Sequence, residues 1–168
     1  MENNNTLIVF ASKHGNAEKC ARELFHLLEG KVDFCNLNHR KTYPDITTYD
    51  TVIVGGSIYH GKVQESVSSF CYKNLHELQQ KRLGLFISCI YTGDKAQKEL
   101  HESFPKPLMQ NAIVSDYFGG GVVTSKLSFL EKIIINQLID LDEVFSNMSS
   151  EKIQHFAEKM NTADVIQG

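Results

Sequence analysis

No C-x-x-C pair occurs among the four cysteines, Cys20, Cys35, Cys71 and Cys89, and no histidine lies at zinc-ligand spacing from two of them. That spacing argues against a zinc centre or another metal site. Scattered single cysteines in a chain of 168 residues point instead to buried thiols in a reducing compartment. There is no basic excess either: 17 Lys and Arg stand against 20 Asp and Glu, a formal charge of −3. A nucleic-acid binder would carry a basic patch, so that class is set aside. The same charge is too mild to steer basic partners over distance. No apolar run approaches the ~18 residues that span a bilayer. The opening Met1-Glu2-Asn3-Asn4-Asn5 is polar and acidic, unlike a secretory leader, so a cytoplasmic protein is expected. Repeats, low-complexity tracts and linkers are absent, which predicts one domain over 1–168.

What is present suits a packed core: 42% of residues are hydrophobic and only 22% are charged. Residues 6–11 (TLIVFA) form a short β-branched run that predicts a strand buried on both faces. From Asn16 to Leu28, Ala17, Cys20, Ala21, Leu24, Leu27 and Leu28 recur at helical spacing, and Gly30 stands where a helix-ending glycine is expected. Further strands are predicted at 32–37, 50–57, 83–90 and 112–118, and helices at about 64–78, 94–103 and 150–160. Pro105 and Pro107 are expected to end the helix before them. Alternation of strand and helix predicts an α/β fold, a doubly wound sheet of five parallel strands covered by helices.

In such sheets ligands bind beyond the carboxyl ends of the strands, where strand order reverses. Three loops are expected there. The first is Ser12-Lys13-His14-Gly15-Asn16-Ala17, between strand one and helix one. A helix N-terminus offers unpaired N–H groups and a positive dipole end, which suits a phosphate. Gly15 allows close approach of the backbone, and Ser12 and Asn16 carry hydrogen-bonding side chains. An ordinary turn with Asn16 capping the helix is the alternative. The second loop contains Ser57, Ile58, Tyr59, His60 and Gly61; the third contains Cys89, Ile90, Tyr91, Thr92 and Gly93. Two tyrosines at one sheet edge can sandwich a planar ring, although either alone suits a surface aromatic. Other phosphate motifs are missing: there is no G-x-x-x-x-G-K-[ST], no G-x-G-x-x-G in the first turn, and no aspartate ending the third strand, where Gly55-Gly56-Ser57 stands.

The S-x-x-G-x-A loop at 12–17, the Y-D-T-V-I-V-G-G-S segment at 49–57 and the two glycine-bearing loops together resemble the flavodoxin family, over nearly the whole chain. Within it, G-G-S-I-Y-H-G-K at 55–62 looks most like the menaquinone-dependent protoporphyrinogen oxidase branch. The resemblance implies a flavodoxin-like sheet of order 2-1-3-4-5 with helices on both faces. It also implies FMN as cofactor, its phosphate on Ser12 to Ala17 and its ring system between the second and third loops. Ala17 stands where the family usually has Thr or Ser, and the chain has no Trp to cover a flavin. His14 and His60 are read either as donors to the cofactor or as solvated loop histidines, and no catalytic side chain is assigned.

Three functions follow from that likeness. One is an FMN oxidoreductase oxidising protoporphyrinogen, with electrons passed to a quinone. Another is a soluble electron carrier serving a redox partner protein. The last is a binding module that has lost the cofactor, which two aromatic loops and an intact phosphate loop argue against. Residues 125–141 add a predicted helix whose Leu127, Phe129, Leu130, Ile133, Ile134, Ile135, Leu138 and Ile139 make an apolar surface wider than one sheet-facing stripe. It is either packed inside or a docking face for a second copy, a partner or the membrane periphery.

Overall fold

A computed structural model describes residues 4–12, 15–39, 42–119 and 150–162. The predicted helix at 125–141 lies outside the described residues, as do Lys13 and His14.

Five parallel strands stand in the order expected from the resemblance. These are β1 (Asn5–Ala11), β2 (Lys31–Asn36), β3 (Thr51–Tyr59), β5 (Arg82–Cys89) and β6 (Val114–Gly119), arranged β2-β1-β3-β5-β6. A two-residue strand, β4 (Lys62–Val63), pairs antiparallel with the end of β3 and was not foreseen. The helices are α1 (Asn16–Leu27), α2 (Glu65–Lys73), α3 (Leu75–Gln79), α4 (Gly93–Ser103), α5 (Lys106–Asn111) and α6 (Ser150–Thr162).

The period of two along each strand sorts the core into two layers. Leu7 and Val9 of β1, Val52 and Val54 of β3, and Leu83, Leu85 and Ile87 of β5 pack with Val67, Phe70, Leu78, Ala96, Leu100 and Leu108 from α2 to α5. Ile8, Phe10, Ile53 and Phe86 face the other way, against Ala17, Cys20, Ala21 and Leu24 of α1 and Ile153, Phe156, Ala157 and Met160 of α6. Both faces of the central strands are therefore dry, which explains their continuous apolar runs. Gly55 is required by this packing: a Cβ there would lie 2.1 Å from the Phe86 ring.

Two local features depart from the sequence-based expectation. The single helix predicted at 64–78 is broken at Asn74, whose Nδ2 donates to the Phe70 carbonyl at 2.9 Å while its backbone sits at φ −114°, ψ 21°. A side chain that competes for a helix carbonyl favours such a break. Pro105 and Pro107 end one helix but also open another: they occupy the cap and first turn of α5, where no amide hydrogen is needed.

Candidate functional site

The carboxyl ends of β1, β3 and β5 bring the three predicted loops to one edge of the sheet. In the first loop, Gly15 is the N-cap of α1 and adopts a left-handed backbone, φ 89°, that only glycine enters freely. Its carbonyl accepts the Lys19 amide at 3.1 Å. Asn16 is therefore the first helical residue and not the cap, and no side chain caps this helix. Asn16 and Ala17 open the helix with their amides at its positive end. The Ala17 N–H donates to Ser57 Oγ at 3.3 Å, which joins the first and second loops directly.

The pairing register reveals a row of hydroxyls beneath that loop. Ala11 pairs with Gly56, and Ser57 pairs with Ser88. Ser57 and Ser88 thus stand at one level on adjacent strands, and Ser12, the residue after β1, follows the Ala11–Gly56 pair by one position. Ser12 and Ser88 each lie two residues beyond a phenylalanine, Phe10 and Phe86, of the α1-side core. The hydroxyls of Ser12 and Ser88 are shut from solvent and have no hydrogen-bond partner among the described residues. Leaving a hydroxyl buried and unpaired costs about 1–3 kcal/mol. Ser88 escapes a sequence reading because it hides inside the apolar run LGLFISCI.

The second loop is a tight hairpin. Tyr59 pairs with Lys62, leaving His60 and Gly61 as its two-residue turn, both with positive φ, 52° and 78°. That combination is the mirror-image turn matching strand twist, whose first position favours Asn, Asp or Gly, so a histidine there is unusual. Ile58, paired with Val63, packs on the core. The Tyr59 ring meets the exposed His60 imidazole edge-on, with ring centroids 4.1 Å apart.

Cys89, last residue of β5, donates its thiol to the Tyr91 carbonyl at 3.4 Å. Burial, helped by the nearby Glu99 carboxyl, pushes that thiol up to about 12. Ile90 and Tyr91 follow half-buried, and Thr92 is the N-cap of α4. Gly93 has φ 67°, and its amide donates to the Tyr117 hydroxyl at 3.1 Å. Lys95 Nζ sits 3.7 Å over the Tyr91 ring, so one face of that tyrosine is already covered by a cation.

Three supporting residues were not foreseen. Asn38 Nδ2 donates to the Ser12 carbonyl at 3.0 Å and to Gln64 Oε1 at 3.2 Å, tying the loop after β2 to the first loop and to the cap of α2. Lys152 of α6 binds Asp116 at 2.8 Å and lies 3.3 Å over the Tyr117 ring, bracing the tyrosine that holds Gly93. Glu99 on α4 is buried at 6% exposure with both carboxylate oxygens unpartnered. Burial holds its carboxyl above the ordinary glutamate range, with Lys95 pulling it back down and Glu102 adding a smaller upward push.

Residues 7–149 match the sequence pattern of the Flavodoxin domain family. The chain belongs to this family. No curated protein matches its sequence. Among solved structures, this flavodoxin domain is similar to the flavodoxin of Streptococcus pneumonia TIGR4, at TM-score 0.54 and 20% identity over 95% of this chain and 99% of that one. It is also similar to rubredoxin oxygen:oxidoreductase of Desulfovibrio gigas, at TM-score 0.54 and 14% identity. That match covers 98% of this chain, which spans only 37% of the length of the Desulfovibrio gigas protein. A flavoprotein of Lactobacillus acidophilus NCFM, solved in complex with FMN, matches at TM-score 0.51 and 13% identity, over 68% of this chain and 93% of that one. These likenesses establish the fold.

The residues of this flavodoxin domain fit FMN. A glycine in the left-handed region at a helix N-terminus, with an unpaired buried serine hydroxyl below it, presents donors to a phosphate. Beyond it, two loops carry a tyrosine each, at the ends of neighbouring paired strands. Among the described residues no cluster of His, Cys, Asp and Glu could hold a metal ion, and no helix is long and apolar enough to cross a membrane.

Proposed function

We propose that this flavodoxin domain holds FMN and serves as an oxidoreductase through it. The observation that carries the reading is the Ser12 hydroxyl, buried and unpartnered beside a helix N-terminus, where a phosphate oxygen would satisfy it. Ser12, Gly15, Asn16 and Ala17 would hold the phosphate, with Lys13 and His14 completing the loop in sequence and Ser57 and Ser88 supporting it from below. Ser57 to Gly61 and Cys89 to Gly93 would flank the ring system. When bound, FMN supplies the electron-transfer chemistry. The chain supplies position: Asn38 fixes the Ser12 carbonyl, and Tyr117 fixes Gly93. Lys95, over Tyr91, places a positive charge beside the third loop.

The substrate reading rests on the G-G-S-I-Y-H-G-K segment at 55–62, which favours protoporphyrinogen as electron donor and a quinone as acceptor. A carrier between redox proteins is the alternative, and it would need no substrate of its own.

Titration of the apoprotein with FMN and with riboflavin, followed by flavin fluorescence, tests the cofactor. Binding of FMN at least tenfold tighter than riboflavin, with the difference lost in Ser12→Ala, is the expected result. Equal affinity for the two flavins would overturn the phosphate site. The loaded protein, given protoporphyrinogen and menaquinone or instead a reductase and a redox partner, then separates enzyme from carrier.

A further inference from the structure

A cavity of about 260 Å³ lies between α1 and the outer strand β2, away from the second and third loops. Among the described residues it is lined by Phe10, Glu18, Arg22, Phe34, Asn36 and His39. We propose that this cavity binds a small planar aromatic carboxylate.

The floor is aromatic. Phe10 is buried and meets Phe34 edge-to-face, with ring centroids 6.1 Å apart and planes at 85°. Phe25, one turn beyond Arg22 on α1, stacks on Phe34 at 4.9 Å and 22°, which fixes the Phe34 ring in place. A flat ring entering such a site finds both a ring edge and a half-buried ring to pack on. The rim is rich in donors. Asn36 Oδ1 already accepts the Asn38 amide at 3.0 Å, so its NH₂ is the group left for a ligand. His39 is exposed at the strand end, and Arg22 extends from α1 with 67% of its side chain accessible. Glu18 is the one acidic residue among the described lining residues, and it is engaged by Arg22 at 3.3 Å in an exposed i,i+4 pair.

Exposed pairs of that kind are weak, whereas a carboxylate held by both arms of a guanidinium is among the stronger polar contacts. A ligand carboxylate can therefore take the place of Glu18 on Arg22 while its ring lies on Phe10 and Phe34. The volume falls just under the roughly 300–1,000 Å³ of drug-sized sites, which limits the occupant to one or two rings. Among the described residues, none that lines the cavity belongs to the three loops assigned to FMN, so the inference draws on different residues from that assignment.

The test is a titration of the full chain, with and without saturating FMN, with 2-naphthoate and its neutral analogue naphthalene-2-methanol, followed by amide NMR. Saturable shifts at Arg22, Phe34, Asn36 and His39, at least tenfold weaker affinity for the alcohol, and a similar loss in Arg22→Gln are expected. Absence of saturation at these amides, undiminished affinity in Arg22→Gln, or displacement of naphthoate by FMN would each overturn the proposal.

Discussion

Ser57 Oγ accepts the Ala17 amide at 3.3 Å, so the end of β3 anchors the first turn of α1 across 40 positions of chain. Helix N-termini keep unpaired amides, and here a neighbouring strand serves one of them. Ser57→Ala removes that acceptor from a buried donor. The expected cost is about 1–3 kcal/mol in urea unfolding of the apoprotein, together with weaker FMN binding. An unchanged unfolding midpoint would show that the contact contributes nothing.

Gly61 sits at φ 78°, yet a Cβ placed there meets no atom within 4 Å. Gly61→Ala is therefore penalised by backbone strain alone, expected at about 1 kcal/mol. Chemical denaturation measures this. The turn flanks the proposed ring site, so a shifted reduction potential in the FMN-loaded variant, read by potentiometric titration, is also expected. An identical potential in both proteins would separate the hairpin from the cofactor.

Glu99 holds its proton more tightly in the folded chain than in the unfolded one, because burial disfavours its charge. Its contribution to stability is complete below the unfolded pKa and is lost as pH rises through the raised folded value. Glu99→Gln, which cannot ionise, should gain stability relative to the parent as pH climbs from the acid range to neutrality. Urea midpoints for both proteins across that range supply the comparison. A difference that does not vary with pH would mean that Glu99 does not titrate on unfolding.

Burial pushes the thiols of Cys20, Cys71 and Cys89 each up to about 12. Near pH 8 the thiolate fraction is then on the order of 10⁻⁴, and alkylation requires thiolate. Iodoacetamide should leave all three unmodified in the native protein and label them in guanidinium, as mass spectrometry would show. Rapid native labelling of Cys89 would mean that the third loop opens.

Central strands were legible from sequence because burial on both faces demands unbroken β-branched runs such as Thr6 to Ala11. The turn into α1 was legible because a glycine between a buried strand and an amphipathic helix marks a backbone bend, and Gly15 takes the left-handed conformation there. What escaped depends on partners distant in the chain or on choices between near-equal local options. Ser88 matters only through its register with Ser57. The break at Asn74 depends on one amide choosing the Phe70 carbonyl. His60 adopts a positive φ that its residue type does not announce. The cavity beside Phe34 exists only once β2 and α1 are packed together.

Phe156 of α6 meets Phe118 at 5.5 Å and Phe86 at 6.3 Å, while Asn161 accepts from the Glu29 amide and donates to the Leu27 carbonyl. Among the described residues, those of α6 are the last made of this core layer. On the ribosome, a nascent chain that has emerged as far as β6 leaves Phe86 and Phe118 without their last cover, open to chaperones and proteases. Chains stalled before residue 150 leaves the exit tunnel should be cleaved readily, and those released past residue 162 should resist. Equal resistance at both lengths would show that the sheet closes without its final helix. The same dependence makes α6 a checkpoint on translation, since a message truncated ahead of it yields a chain with one layer of its core open.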